Sequence, residues 1–310
     1  MISLKNLKRN LIKLLRKKAL KKYKINKMDK LYSPLRYPGG KAKLVPFFKQ
    51  LIEENNLKGT TYIEPFAGGA NVALSLLIDK YVSHIIINDI DKSIYAFWKS
   101  ILTNTNKFIQ KIQECNLTIE EWNKQKEILK NADQHSDLSI AFAVFFLNRT
   151  NFSGVIQAGP IGGFAQTGKY KLDARFNKDA LIKKIQTISS YKKHITVTCK
   201  DALEVIDTAK AISNCLIYLD PPYYIQGKRL YMNFYKHTNH ATLATRIQKL
   251  KVPFIITYDN VTQIKELYTD LETQEFLINY SAKTHTAASE VMFWKNLPAN
   301  SRNFLRALPN

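Results

Sequence analysis

Apolar positions along the chain follow two rhythms. Thr61–Ala70 reads as a strand running into a glycine-bearing turn, runs at Ile85–Ile87, Ile195–Thr198, Leu216–Leu219 and Pro253–Thr257 predict further strands, and Glu275–Tyr280 with Val291–Trp294 predicts a terminal hairpin. Helical spacing predicts helices over Ala42–Asn55, Asn71–Asp79 and Thr242–Leu250, and over much of Ser93–Ser190, where Tyr95–Trp98 and Ala141–Leu147 supply apolar faces. Strands alternating with helices specify a doubly wound α/β sheet, interrupted between residues 93 and 190 by a mainly helical insert. One run organises the rest: Leu216-Ile-Tyr-Leu-Asp-Pro-Pro-Tyr-Tyr224. Neither Pro221 nor Pro222 can donate a ladder hydrogen bond, so the strand stops there and Asp220 lies at its carboxyl end. That is the edge at which open α/β sheets bind ligands.

The chemistry of such a corner is specific. The Asp220 carboxylate and the Pro221 carbonyl are two acceptors with no competing donor, and Tyr223 offers a ring on which a planar group can stack. Together they suit an exocyclic amine on a nucleobase, each acceptor taking one amine hydrogen while the nitrogen lone pair turns towards an electrophile. A strand that ends at an ordinary Asp-Pro turn is the plainer reading of the same tetrapeptide.

Charge narrows the partners. Lys and Arg number 47 against 25 Asp and Glu, a net of +22, with a pI near 9.7, which points to a polyanion. Residues 1–30 hold twelve Lys or Arg and one acid, Asp29, so they carry +11 of that surplus. Leu4, Leu7, Leu11 and Leu14 recur at helical spacing among the lysines. Such an arm could hold DNA phosphates, lie on a membrane, act as a targeting extension or be a fraying tail; Met28 offers an internal start. Cys115, Cys199 and Cys215 have neither disulfide nor zinc spacing, and the six histidines are scattered, so no metal is expected and reduced cytoplasmic thiols are the simplest account. No apolar run approaches the ~20 residues of a membrane helix.

Three stretches in order, Arg36-Tyr-Pro-Gly-Gly-Lys41, Ile63-Glu-Pro-Phe-Ala-Gly-Gly-Ala70 and Asp220-Pro-Pro-Tyr223, resemble the successive motifs of the Dam-type (class alpha) DNA adenine-N6 methyltransferases. The resemblance runs from about Leu31 to about Lys295. It implies an S-adenosylmethionine-dependent methyltransferase sheet formed by residues 31–92 and 191–310, with 93–190 as an inserted target-recognition domain, acting on double-stranded DNA. It implies a catalytic group of Asp220, Pro221, Pro222 and Tyr223. Tyr37, Lys41, Glu64, Phe66, Gly68, Asp89, Asp201 and Asp220 are then the cofactor contacts, with Asp89 on the ribose and Asp201 near the adenine. A cognate restriction endonuclease is a candidate partner. An acid 21 positions past Gly68 also suits the ribose of a dinucleotide, so this half alone does not separate NAD from the methyl donor; the Glu-Pro-Phe lead-in favours the latter.

Asn148–Lys178 is the one long irregular stretch, rich in Gly, Asn, Gln and Thr. Arg149, Asn151, Gln157, Gln166, Lys169 and Arg175 have the donor and acceptor types that read base edges and hold phosphates, against the plainer reading of a solvated loop. Residues Ile225–Asn239, with Lys228, Arg229, Tyr231, Phe234, Tyr235 and Lys236, suit an extruded nucleotide and its backbone. The rivals are a cytosine-N4 or RNA methyltransferase, an NAD-dependent oxidoreductase and a catalytically silent DNA-binding protein.

The arm can be tested directly. If it holds phosphates, deleting residues 1–27 will flatten the log-log dependence of DNA affinity on salt; an unchanged slope excludes phosphate contacts from it.

Overall fold

The computed structural model describes residues 31–37, 39–225, 235–279, 287–298 and 302–309. The basic arm, Pro38, and Lys228, Arg229, Tyr231 and Phe234 lie outside them.

Seven strands form one sheet: β1 (Thr61–Glu64), β2 (His84–Asn88), β3 (Ile195–Thr198), β4 (Cys215–Leu219), β5 (Phe254–Asp259), β6 (Glu272–Asn279) and β7 (Ala287–Lys295). Their spatial order is β3-β2-β1-β4-β5-β7-β6. β1 to β5 pair in parallel, and β7 runs antiparallel between β5 and β6. The chain moves outward from β1 through β2 to β3, then returns to the other flank of β1 with β4. The direction therefore reverses between β1 and β4, where a crevice opens at the strands' carboxyl ends.

All five residues of β4 are buried, because both faces of the sheet are covered. Successive side chains take opposite faces. Tyr62, Leu216, Ile255 and Met292 enter one core, while Ile63, Ile217, Ile256 and Phe293 enter the other. Helices α1 (Val45–Glu54), α2 (Asn71–Ile78) and α3 (Lys92–Thr103) pack in the first core. The second holds α8 (Ala202–Ala209) and α9 (His237–Gln248).

Between β2 and β3 the chain forms α3, α4 (Thr105–Glu114), α5 (Ile119–Lys130), α6 (Asp137–Thr150) and α7 (Lys178–Ser190). Helix α6 is apolar nearly all round, as a helix enclosed by others must be. Its Phe145 stacks on Phe97 at 6.0 Å and meets Phe108 and Phe176 edge-on at 5.4 and 5.5 Å. These rings belong to the same core as Tyr62 and Leu216.

Boundaries differ from expectation where polar residues hide the period. Helix α9 begins at His237 rather than Thr242, since its opening turn, His237, Thr238 and Asn239, carries no apolar position. β6 begins at Glu272 rather than Glu275, because an edge strand that opens on exposed Glu272 and Thr273 lacks a hydrophobic run. Helix α6 continues through Asn148 to Thr150 before the irregular stretch begins.

Asn148 joins α6 to the start of the catalytic half. Its Oδ1 accepts the Arg36 N–H at 2.7 Å, and its Nδ2 donates to the Arg36 carbonyl at 2.7 Å and to the Gly154 carbonyl at 2.9 Å. Gly154, at φ +76°, has no room for a side chain, because a Cβ would lie 2.5 Å from the Arg36 carbonyl oxygen. Asn148→Ala strands main-chain groups at this joint and is expected to destabilise the protein by about 1–3 kcal/mol, read as a lower urea midpoint at unchanged m-value. An unchanged midpoint would show that the joint contributes nothing to the fold.

Candidate active site

The turn after β1 builds one wall of the crevice. Ala67 N–H donates to the Asn88 carbonyl at 2.8 Å, Gly68 N–H donates to Asp89 Oδ2 at 3.0 Å, and the Trp98 indole donates to the Gly68 carbonyl at 2.9 Å. Gly68 sits at φ +46°, and a Cβ there would lie 2.6 Å from the Tyr37 ring, so glycine is required both by conformation and by space. Glu64 closes β1, buried, with Oε1 accepting the Ala73 N–H at 3.0 Å. Asn88 holds the floor, donating to the carbonyls of Pro65 and Lys200 at 2.9 and 3.0 Å.

β4 delivers the other wall. Asp220 Oδ1 accepts from the Lys41 ammonium at 2.7 Å and from the Thr257 hydroxyl at 3.2 Å. Lys41, only 5 % exposed, also reaches the Tyr223 hydroxyl at 2.7 Å and the Gly39 carbonyl at 3.2 Å. Its ammonium lies 3.6 Å from Glu290 Oε1. The Tyr223 hydroxyl in turn donates to Glu290. Asp259, at the end of β5, accepts the Tyr224 and Ile225 N–H groups, both at 2.9 Å, and so fixes the chain as it leaves the two prolines.

Both walls line one cavity of about 290 Å³. Tyr37, Lys41, Glu64, Phe66, Gly68, Asp89 and Asp220 all face it, as does Pro222. Asp201 is exposed and caps α8 through the Leu203 N–H; its neighbour Ala202 lines the cavity. Pro221 is buried under the turn. Tyr223 differs from the stacking face expected of it. It is 7 % exposed and turned inward, because a desolvated phenol takes polar partners where they exist.

Electrostatics sets this chamber apart from the rest of a basic chain. Glu64, Asp89, Asp91 and Asp220 line it, and Lys41 is the one cation among the described lining residues. Burial pushes the Glu64 carboxyl up to about 8, and burial, with Asp91 nearby, pushes Asp89 up to about 7. Burial also raises Asp220 from its ordinary value, against the pull of Lys41 and Thr257. It works against the Lys41 ammonium too, but Asp220, Tyr223 and Glu290 outweigh it and hold the lysine well above its usual value. A small organic cation suits such a set of carboxylates, and Asp89 is held beside the Gly68 turn by the N–H groups of Gly68 and Asp91, both at 3.0 Å.

The irregular stretch separates its expected DNA contacts. Gln157, Lys169 and Arg175 are exposed. Asn151 is not: its Oδ1 accepts the Trp122 indole N–H at 2.6 Å, and its Nδ2 donates to the carbonyls of Val155 and Ile156 at 3.0 and 2.9 Å. Enclosed in this way, it shapes the loop and presents no edge to a ligand. Gln166 likewise donates to the Ile161 and Gly163 carbonyls at 2.8 and 2.7 Å. The Arg149 guanidinium donates to the Arg175 carbonyl at 2.7 Å, and burial together with Arg36 and Arg175 lowers its pKa to about 10. Lys184, whose pKa burial and Arg149 lower, completes the cationic group and donates to the Ser33 carbonyl at 3.0 Å.

Glu290, Thr257 and Asp259 joined the site without being expected from sequence, whereas Tyr235 and Asn239 come from the segment expected to hold an extruded nucleotide. Tyr235 and Asn239 line the cavity, Tyr235 meeting Phe66 edge-on at 5.8 Å. One signal for Glu290 was available. It shares its parity with the buried Met292 and Trp294, so the period of two aims a carboxylate inward. Among the described residues no group of three or more metal-ligating side chains comes together, and no helix is long and apolar enough to cross a membrane.

Comparison with known proteins gives consistent matches. The family model of the D12 class N6 adenine-specific DNA methyltransferases matches residues 37–286. The type II methyltransferase M.MjaIII of Methanocaldococcus jannaschii is 26% identical over 205 residues, which cover 61% of this chain and 68% of that protein. The type II methyltransferase M.CviBI of Paramecium bursaria Chlorella virus NC1A is 23% identical over 254 residues, 81% of this chain and 92% of its own. A DNA adenine methylase of Vibrio cholerae is 26% identical over 201 residues, 63% of this chain and 66% of its own.

The raised carboxyls make ligand binding depend on pH. A cation beside Glu64 and Asp89 favours their ionised forms, so binding releases protons and affinity rises with pH up to the values of the empty site, about 8 and about 7. Calorimetric titration of S-adenosylmethionine between pH 6 and 7.5 is expected to show affinity rising by at most about tenfold per pH unit for each carboxyl that ionises. Affinity that is flat or falls across that range would contradict it.

Proposed function

The chain belongs to the D12 class N6 adenine-specific DNA methyltransferase family, and from that premise we propose that it transfers the methyl group of S-adenosylmethionine to adenine N6 at a specific site in duplex DNA, with the target base swung out of the helix. The observation that carries this reading is the single cavity holding both the Gly68 turn and the Asp220 corner.

S-adenosylmethionine, when bound, supplies a methyl group on a positively charged sulfur, which departs as a neutral thioether, so no covalent enzyme intermediate is needed. The cavity residues Tyr37, Glu64, Phe66, Gly68 and Asp89 are positioned to hold it. Glu64 places a carboxylate near its positive charge, and Asp89 accepts from its ribose. Asp201 joins through its place beside Ala202.

Asp220 and the Pro221 carbonyl accept the amine hydrogens of the target adenine, with Pro222 as the wall beside the ring and Tyr223 behind it, holding Lys41. Because Asp220 Oδ1 is already occupied by Lys41 and Thr257, Oδ2 is the oxygen that receives the substrate. Extrusion of the base costs a few kcal/mol, which phosphate contacts offset. Arg36, Arg149 and Lys184 donate to the main-chain carbonyls of Asn151, Arg175 and Ser33, and with Arg175 they form a group in which burial and the neighbouring cations lower the pKa of Arg36, Arg149 and Lys184. That suits a polyanion's backbone. Gln157, Lys169 and Arg175 are the exposed candidates for contact with the recognised sequence.

The names of the type II methyltransferase M.MjaIII and of the modification methylase StsI of Streptococcus sanguinis, 28% identical over 215 residues, support a cognate restriction endonuclease as partner, and the same reading puts the site of action on DNA in the cytoplasm.

Asp220→Ala is expected to leave DNA affinity within about twofold of the parent while removing transfer of labelled methyl to DNA, the signature of an interaction made only in the transition state. Digestion of the wild-type product should yield N6-methyldeoxyadenosine. N4-methyldeoxycytidine, or full activity in the variant, would overturn the assignment.

A further inference from the structure

Lys41 presents a difficulty for the reaction proposed above. Its ammonium bonds to the Asp220 carboxylate at 2.7 Å, and a carboxylate that already holds a cation is a weaker acceptor for an amine hydrogen. The ammonium is deeply buried, so it cannot leave Asp220 without another counter-charge. The structure provides one. Glu290, 1 % exposed, places Oε1 3.6 Å from the same nitrogen, so a shift of about 1 Å brings the two to hydrogen-bond distance.

Glu290 reaches this position through the reversed strand. β7 runs against β5, with Glu290 opposite Asp259, so the first half of β7 arrives where the parallel strands end. The Tyr223 hydroxyl, bonded to both Lys41 and Glu290, completes the bridge between them.

We infer that Glu290 is a positioning residue for methyl transfer: it receives the Lys41 ammonium when the target amine engages Asp220, so that the catalytic carboxylate is released while the buried cation stays compensated. This rests on the methyl-transfer reading above. Glu290 contacts neither the amine nor the methyl donor, and acts through Lys41.

The test uses the full chain, S-adenosylmethionine and a DNA duplex that the wild type methylates, with single-turnover rates measured beside both dissociation constants. Glu290→Gln keeps an acceptor for Tyr223 but removes the charge. Its transfer rate is expected to fall by roughly 10²-fold, with both dissociation constants within about twofold of the wild type. Because Glu290 acts through Lys41, adding Glu290→Gln to Lys41→Met should slow that variant no further, whereas an independent structural role would multiply the two losses.

Glu290→Asp guards against a folding defect. At matched melting temperature it should transfer at least about tenfold faster than Glu290→Gln, because it retains the charge. A wild-type rate in Glu290→Gln, multiplicative losses in the double variant, or equal rates for the Asp and Gln variants would each overturn the inference. A wild type that methylates no adenine would instead overturn the reading on which it rests.

Discussion

One buried positive charge ties the catalytic half together. The Lys41 ammonium closes the Gly39-Gly40 turn, reaches the end of β4 at Asp220, the phenol of Tyr223 and the reversed strand at Glu290. At 5 % exposure it is almost fully withdrawn from solvent. Its partners are therefore held by the cost of leaving an ion uncompensated in a medium of low polarity. Segments far apart in the chain meet at a single atom, and the corner that binds the target takes its shape from their common need for that atom.

A second constraint is the separation of two charge regimes. The whole chain carries +22, yet the described charged residues lining the chamber at the switch between β1 and β4 are carboxylates except for Lys41. The charged groups of the chamber suit a small cation, and the basic side chains outside it suit a polyanion. The two kinds of ligand that the proposed reaction needs therefore match different surfaces.

Much of this was readable from the chain because local rules and tertiary packing agree. The apolar run of β4, ended by two prolines, can only be a buried strand stopping at a carboxylate, and a glycine turn between β1 and α2 can only open towards the same edge. What escaped was decided by pairing across the sheet. Thr257, Asp259 and Glu290 reach the site because β5 and β7 lie side by side, a neighbourhood that spacing along the chain does not encode. The irregular stretch failed differently. Asn151 and Gln157 have the same chemistry and nearly the same address, but one is enclosed by Trp122 and the other faces solvent. Residue type states what a side chain can bind; packing decides whether anything can reach it. Tyr223 follows the same logic, an expected stacking ring drawn inward by partners that the strand pairing supplied.

The amide of Asn148 grips the main chain of Arg36 by both its N–H and its carbonyl, one residue before Tyr37 and five before Lys41. The same amide holds the Gly154 carbonyl, where the irregular stretch begins. The two regions are therefore tied by one side chain, and the Arg36 guanidinium adds a second tie to the Asn151 carbonyl at 3.3 Å. Position 148 thus couples the placement of the segment entering Tyr37 and Lys41 to that of the loop's first turn.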